Sequence, residues 1–240
     1  MKRTTALTAI ALLFLSGAAY GEGSGISFRL SGGGAWGRYS HPPLISYPGK
    51  PDLRIGITYG DRIGLAGGAG CEIALPFSER LSSVTSVEYI RKGAQVVIYE
   101  PAVGIFANDR YEARHSLRSY EMETLSLIQL LKVKPLPGGF PYALAGFELA
   151  RVLSHGFTET PGLSEAPLTD DTRKIDFGLV AGAGGELNAG RWASFLEVRY
   201  HLGLVNLSKA AGALQNYPTL KTRAVSLIFG LRYRLGKAAS

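Results

Sequence analysis

The stretch at residues 224–235 constrains the fold most, because apolar residues occupy every second position in it. The apolar set is Val225, Leu227, Phe229, Leu231, Tyr233 and Leu235. The residues between them are Ala224, Ser226, Ile228, Gly230, Arg232 and Arg234. A period of two predicts a β-strand, since successive side chains leave opposite faces of a sheet. One face of this strand is therefore apolar, and the other is mostly small or charged.

The same alternation predicts seven further strands. We place them at about residues 26–36, 63–73, 81–99, 125–133, 142–152, 175–186 and 191–204. The segment 142–152 is apolar on both faces, so its orientation stays open. We expect an irregularity at Gly93, and an extracellular extension of the second strand through Ile55, Ile57 and Tyr59.

The connections between these strands alternate in length. Short turns rich in Pro, Gly and Asn lie at Pro76–Arg80, Pro135–Pro141 and Asn188–Gly190. Long polar connections lie at about residues 38–62, 100–120, 154–173 and 206–222. Short turns at one rim and long loops at the other are typical of outer-membrane barrels. The pattern therefore predicts an all-β fold: an antiparallel up-and-down transmembrane β-barrel of about eight strands.

The apolar strand faces agree with a membrane location. In hydrocarbon every backbone donor and acceptor must pair within the protein, and a closed sheet achieves this without an edge. Aromatic residues near the strand ends suit the two interfacial girdles. These residues are Trp36, Tyr89, Tyr142, Trp192 and Tyr233. The alternative is a soluble barrel, such as a lipocalin, that packs the same rings in its core.

The N-terminus has the pattern of a secretory signal peptide. Lys2 and Arg3 precede an apolar stretch at Ala6–Leu15, and small residues follow it. We expect cleavage after Gly21, which makes residues 1–21 the signal peptide and residues 22–240 the barrel domain. The apolar stretch is shorter than the roughly 20 residues of a membrane-spanning helix. A retained N-terminal anchor is the alternative.

Composition excludes two classes of protein. The only cysteine is Cys71, which rules out a small domain held by disulfides. The formal net charge is +7, but the basic residues are scattered among acidic ones. Nucleic-acid binding requires Lys and Arg clustered on one face, so we expect no nucleic acid as a partner.

Five segments, taken in order, carry a resemblance to a known family. They are Glu88–Gly93, Leu125–Pro135, Pro141–Leu153, Asp176–Leu187 and Val198–Leu207. The chain resembles the outer-membrane β-barrel domain of the porin-like family, which includes PorT-like proteins. The resemblance implies a small eight-stranded barrel, similar in shape to OmpX and the OmpA membrane domain. It implies a place in the cell outer membrane, with outer-membrane lipid and the barrel-assembly machinery as partners.

Charged residues lie on the faces that such a barrel would turn inward. They are Arg29, Glu72, Glu88, Lys92, Lys132, Glu186, Glu197, Arg199, Arg232 and Arg234. Eight strands leave room only for side chains, and buried charges are costly unless paired. We therefore expect an ion-pair network that fills the lumen, in which Arg232 and Arg234 face Glu197 on the neighbouring strand. A narrow passive pore is the alternative.

Catalytic chemistry has weak support in the sequence. The four histidines are His41, His115, His155 and His201. A cluster of Ser154, His155, Glu159 and Glu165 is the one candidate for a loop-sited hydrolase, similar to a lipid A deacylase-like or protease-like barrel. The histidine spacing suggests no metal site, and we expect no cofactor. We therefore expect either a structural role for the barrel or the binding of an extracellular ligand by its long connections.

Overall fold

The computed structural model describes residues 25–40, 56–78, 80–100, 114–135, 141–160, 164–209 and 220–235. The strands are β1 Ile26–Ser40, β2 Gly56–Ala74, β3 Leu81–Glu100, β4 Arg114–Val133, β5 Tyr142–Thr160, β6 Ser164–Pro167, β7 Ile175–Ala189, β8 Trp192–Gly203 and β9 Lys221–Arg234. The signal peptide predicted at residues 1–21 lies outside the described residues.

Eight of these strands close into one antiparallel barrel. The sheet runs β4-β3-β2-β1-β9-β8-β7-β5, and the pairing of β4 with β5 closes it. The short strand β6 pairs only with the far end of β5, from Gly156 to Glu159. The predicted all-β barrel of eight strands is confirmed. The described residues contain no helix long and apolar enough to cross a membrane.

Side chains alternate strictly between the two surfaces of the wall. In β8 and β9 buried and exposed residues follow one another along almost the whole strand. The outward side chains are large and apolar, as in Phe229, which is 62% exposed. The orientation left open for residues 142–152 is settled, since Tyr142 and Glu148 point inward while Phe147 points outward.

Several barrel strands extend farther than predicted. The connection expected at residues 100–120 is shorter, because β4 already begins at Arg114. Likewise β5 continues to Thr160, through much of the connection expected at 154–173. Beyond the bilayer the outward face is no longer apolar, as at Glu121, Glu123 and Ser154, so the contrast that marks a membrane strand disappears although backbone pairing continues. The predicted extension of β2 is confirmed from Gly56 onward, and Ile55 lies outside the described residues.

The irregularity expected at Gly93 lies on the opposite strand. Arg62 pairs with Gly93 and Ala66 pairs with Ile90, so β2 holds one more residue than β3 between these pairs. This is a β-bulge, which bends the strand that contains it. It occurs where the wall passes from the apolar surface to the charged surface above it.

Two apolar clusters fill the barrel at different heights. The larger cluster lies within the barrel and includes Ile90, Ile128 and Phe195. The second lies at the end opposite the short turns, where Leu168 and Leu207 come from connections rather than strands. We call this second group the cap. Its members are Tyr39, Ala94, Tyr120, Met122, Val152, Leu168, Leu207 and Leu220.

Candidate functional site in the barrel interior and its cap

The barrel interior carries charged side chains along most of its length. Five cations and six carboxylates lie there, each at most 6% exposed. They are Arg29, Lys92, Lys132, Arg199, Arg232, Glu72, Glu88, Glu148, Asp176, Glu186 and Glu197. Because water scarcely reaches any of them, the lumen is filled by side chains.

The layer nearest the short turns joins four strands. Lys132 Nζ donates to Glu72 Oε2 at 3.1 Å and to Glu186 Oε2 at 2.6 Å. Arg232 contacts the same two carboxylates, at 3.4 Å and 3.2 Å. Lys134 Nζ adds a contact of 2.8 Å to Glu186. Each carboxylate is therefore shared by at least two cations.

Glu197 is the centre of the middle layer and is fully buried. Arg29 forms a buried ion pair with it, and Arg199 donates to its Oε2 from both Nε and Nη2, at 2.9 and 2.5 Å. The Tyr142 hydroxyl donates to Oε1 at 2.7 Å. Arg199 also reaches Glu88 at 2.7 Å, which links β8 to β3 across the lumen.

The layer below the cap is built around Glu148. Lys92 Nζ donates to it at 3.1 Å, and the Ser126 hydroxyl at 2.6 Å. The ring of His201 contacts Glu148 through Nδ1 at 2.8 Å and Ser226 through Nε2 at 3.0 Å. These contacts tie β3, β4, β5, β8 and β9 together.

The structure brings together all the predicted interior residues except Arg234. That residue is half-buried at the short-turn rim and joins no ion pair within the described parts of the chain. The predicted contact of Arg232 with Glu197 is wrong. Arg232 pairs with Ala193 and Glu197 with Ile228, so four positions, about 13 Å, separate them along the strand.

Two residues of β5 were misjudged from sequence. Tyr142, expected in an aromatic girdle, points into the lumen and is 2% exposed. Glu148 was missed because its segment reads as apolar on both faces. A lone carboxylate in such a segment was the available signal. At the short-turn rim, by contrast, Trp192 and Tyr233 lie on the outer surface as a girdle requires, and their ring centroids are 4.8 Å apart.

A chain of hydrogen bonds through His155 holds the cap. Tyr39 Oη lies 3.2 Å from Nε2 of His155, and Thr172 Oγ1 lies 2.7 Å from its Nδ1. The Thr172 hydroxyl donates to the carbonyl of Leu168, so it accepts from Nδ1–H, which leaves Nε2 to accept from Tyr39. The neutral ring thus joins β1 and β5 to the connection before β7.

Acid should loosen this cap. His155 lies beyond the apolar surface, level with the outward Glu123 and Ser154, and burial lowers its pKa to about 4. The side chains around the His155 ring are those of Tyr39, Tyr120 and Met122, and no carboxylate of the described residues contacts the ring. An unfolded histidine titrates near 6.5, so the cap has its full stability above that pH and loses it as the pH falls towards 4.

We therefore expect hydrogen-exchange protection of the Leu168 amide, which donates to the His155 carbonyl, to be lower at pH 4.5 than at pH 7. In a His155→Phe variant, protection should not change over this range. An equal decrease in that variant would assign the effect to another group.

The residues considered for a hydrolase do not form a catalytic set. His155 points inward, while the Ser154 hydroxyl points outward and donates to Glu123 at 2.9 Å. Glu159 forms an ion pair with Arg118 at 3.1 Å. Among the described residues no cluster has the composition of a metal site. His41 lies outside the described residues, as does the side chain of His115.

Comparisons with known proteins give similar solved structures. Neisserial surface protein A matches at 12% identity and a TM-score of 0.45, over 89% of this chain and all of its own. OprG from Pseudomonas aeruginosa matches at 15% identity and a TM-score of 0.40, over 87% of this chain and 95% of its own. Ail of Yersinia pestis, in complex with the heparin analogue sucrose octasulfate, matches at 14% identity and a TM-score of 0.38, over 87% of this chain and 99% of its own.

No family model matches the chain, and a search of curated proteins finds no match. The resemblance to PorT-like proteins stays a prediction. The closed wall, its apolar outer surface and its charged interior are the features of a barrel that crosses a bilayer. The chain therefore folds as an eight-stranded antiparallel β-barrel of the kind that crosses a membrane.

Proposed function

We propose that this protein is a non-conducting outer-membrane barrel that acts through its extracellular face. The observation that carries the proposal is the occupied lumen. The lining charges are 0–6% exposed, and Glu197 and Arg199 in the middle layer are at most 1% exposed. An ion would have to break buried ion pairs to pass, which costs several kcal/mol.

The extracellular end supports a binding role. Strands β2–β5 extend past the apolar surface and form, with β6, a sheet that stands above the membrane. Phe157 lies on this sheet with its ring centroid 5.5 Å from that of the buried Tyr120, and Arg118 lies 5.4 Å from the Phe157 ring. Rigid strands of this kind can present their connections to an extracellular ligand.

Planar-bilayer recording tests the proposal. We expect purified barrel to show no stable unit conductance in potassium chloride, while an open porin inserted by the same procedure conducts. A steady channel from the barrel would favour the narrow passive pore instead. The third alternative, a loop-sited hydrolase, has no assembled catalytic residues among those described.

A further inference from the structure

The outward face of β4 carries an amide in the middle of its apolar stretch. Its outward positions between the short-turn rim and the polar surface at Glu123 are, in order, Val133, Leu131, Gln129, Leu127 and Leu125. Gln129 is the central one, four residues or about 13 Å along the strand from either end of the stretch. The side chain of Gln129 therefore faces the hydrocarbon near the middle of the bilayer.

Gln129 belongs to a polar cluster that joins β3 and β4 on the outer surface. Its direct partner on β3 is Thr85, and the Thr85 hydroxyl donates to Gln129 Oε1 at 2.6 Å. Gln129 Nε2 donates to the Ser83 hydroxyl at 2.7 Å. All three side chains point outward and are half-buried. We call Ser83, Thr85 and Gln129 the outer polar cluster.

The hydrogen bonds within the outer polar cluster use only part of what Gln129 offers. A side-chain amide has two N–H donors and an oxygen that accepts twice. Within the described residues Gln129 uses one N–H group and one of its two acceptor sites. The bilayer core contains no water, so a polar group without a partner is costly there. Lipid chains offer neither donors nor acceptors, so a partner at this depth must come from another protein surface.

The wall beside the outer polar cluster carries small residues. Cys71 on β2 pairs with Thr85, and the next outward positions along β2 are Ala69 and Gly67. Gly67 pairs in turn with Gly32, which faces outward on β1. Small residues allow two protein surfaces in a membrane to approach closely. The surface next to the cluster can therefore accommodate the side chains of a neighbouring barrel.

We propose that two copies of this chain associate in the membrane through the outer polar cluster, with Gln129 of each copy at the centre of the contact. Two copies with the same orientation in the bilayer are related by a twofold axis along the membrane normal, which brings the same surface of each together. The free N–H of each Gln129 then donates to the free acceptor site of the other. An amide is complementary to itself in this way, so a second copy satisfies both groups at once.

Sedimentation equilibrium in density-matched detergent micelles measures the dissociation constant of the dimer. Gln129→Leu should raise this constant about tenfold, the effect of losing two side-chain hydrogen bonds in a membrane environment. Leucine also occupies the neighbouring outward positions of β4, so the barrel itself should fold, and heat-modifiable mobility verifies this. The matched control is Ser194→Ala, which removes an outward hydroxyl from β8 on the opposite side of the barrel. It should leave the constant unchanged.

Photo-cross-linking in lipid vesicles tests which face forms the contact. Val87 and Val198 both face outward, at 37% and 50% exposed, and Val87 lies two residues from Thr85 whereas Val198 lies on β8. We expect Val87→p-benzoylphenylalanine to yield a covalent dimer, and Val198→p-benzoylphenylalanine to yield little. Equal yields from the two positions would overturn the proposal. So would a parent chain that stays monomeric in micelles, or equal dissociation constants for the parent and Gln129→Leu.

Discussion

Glu197→Leu should destabilise the barrel by about 3–5 kcal/mol, the usual cost of removing one partner from a buried ion pair. The substitution leaves Arg29, Arg199 and the Tyr142 hydroxyl without their shared acceptor. Arg199 keeps its contact with Glu88 at 2.7 Å, whereas Arg29 keeps only a longer contact with Glu72 at 3.7 Å, so the loss should fall mainly on Arg29. Urea unfolding in lipid vesicles, followed by heat-modifiable mobility, measures the free energy.

Glu159→Gln is the matched control for Glu197. It removes a carboxylate that also pairs with an arginine, but its side chain and that of Arg118 are 25% and 27% exposed. A solvent-accessible pair contributes at most about 1 kcal/mol. The double variant Glu197→Leu with Arg29→Met should recover part of the lost stability, because it also removes the stranded charge. Equal costs for Glu159→Gln and Glu197→Leu would contradict a dry interior.

Gly33→Ala should cost about 3 kcal/mol, at the upper end for an overpacked site. A Cβ at Gly33 would lie 1.9 Å from the backbone oxygen of Leu227 on the neighbouring strand. A backbone atom of the barrel wall cannot move aside as a side chain can. We expect most of the variant to remain unfolded or to unfold at clearly lower urea concentration.

The adjacent residue provides the control for Gly33. A Cβ at Gly34 would meet its nearest atom, the Gly64 carbonyl oxygen, at 3.7 Å, which is ordinary van der Waals contact. Gly34→Ala should therefore unfold close to the wild-type midpoint. Equal unfolding midpoints for the two alanine variants would contradict this prediction. The effect of replacing glycine in β1 would then come from chain entropy and not from the close approach of Gly33 to β9.

The membrane-facing surface could be predicted because hydrocarbon imposes a simple rule on it. Every second residue must be apolar, so β8 and β9 are visible in the sequence. Above the membrane this rule lapses. The first residues of β4 and the last of β5 lack an apolar outward face, and their strand conformation comes from backbone pairing that composition does not reveal.

Partners across the lumen could not be predicted from strand order alone. Arg232 and Glu197 are on neighbouring strands and of opposite charge, yet they lie at different heights. Height depends on the stagger of each strand, and therefore on turn lengths and on the bulge in β2. Inward orientation follows from local alternation, whereas the identity of the partner depends on the closed barrel.

The distance along the sequence between luminal partners has a consequence for assembly. Arg29 and Glu197 are 168 residues apart, and Arg232 and Glu72 are 160 apart. An open sheet in the membrane would expose these charges without their partners, at a cost of several kcal/mol each. Neutralisation of the interior and closure of the β1–β9 seam are thus one event. A partly assembled barrel gains little until its first and last strands meet, so insertion should be cooperative, with the seam closing last.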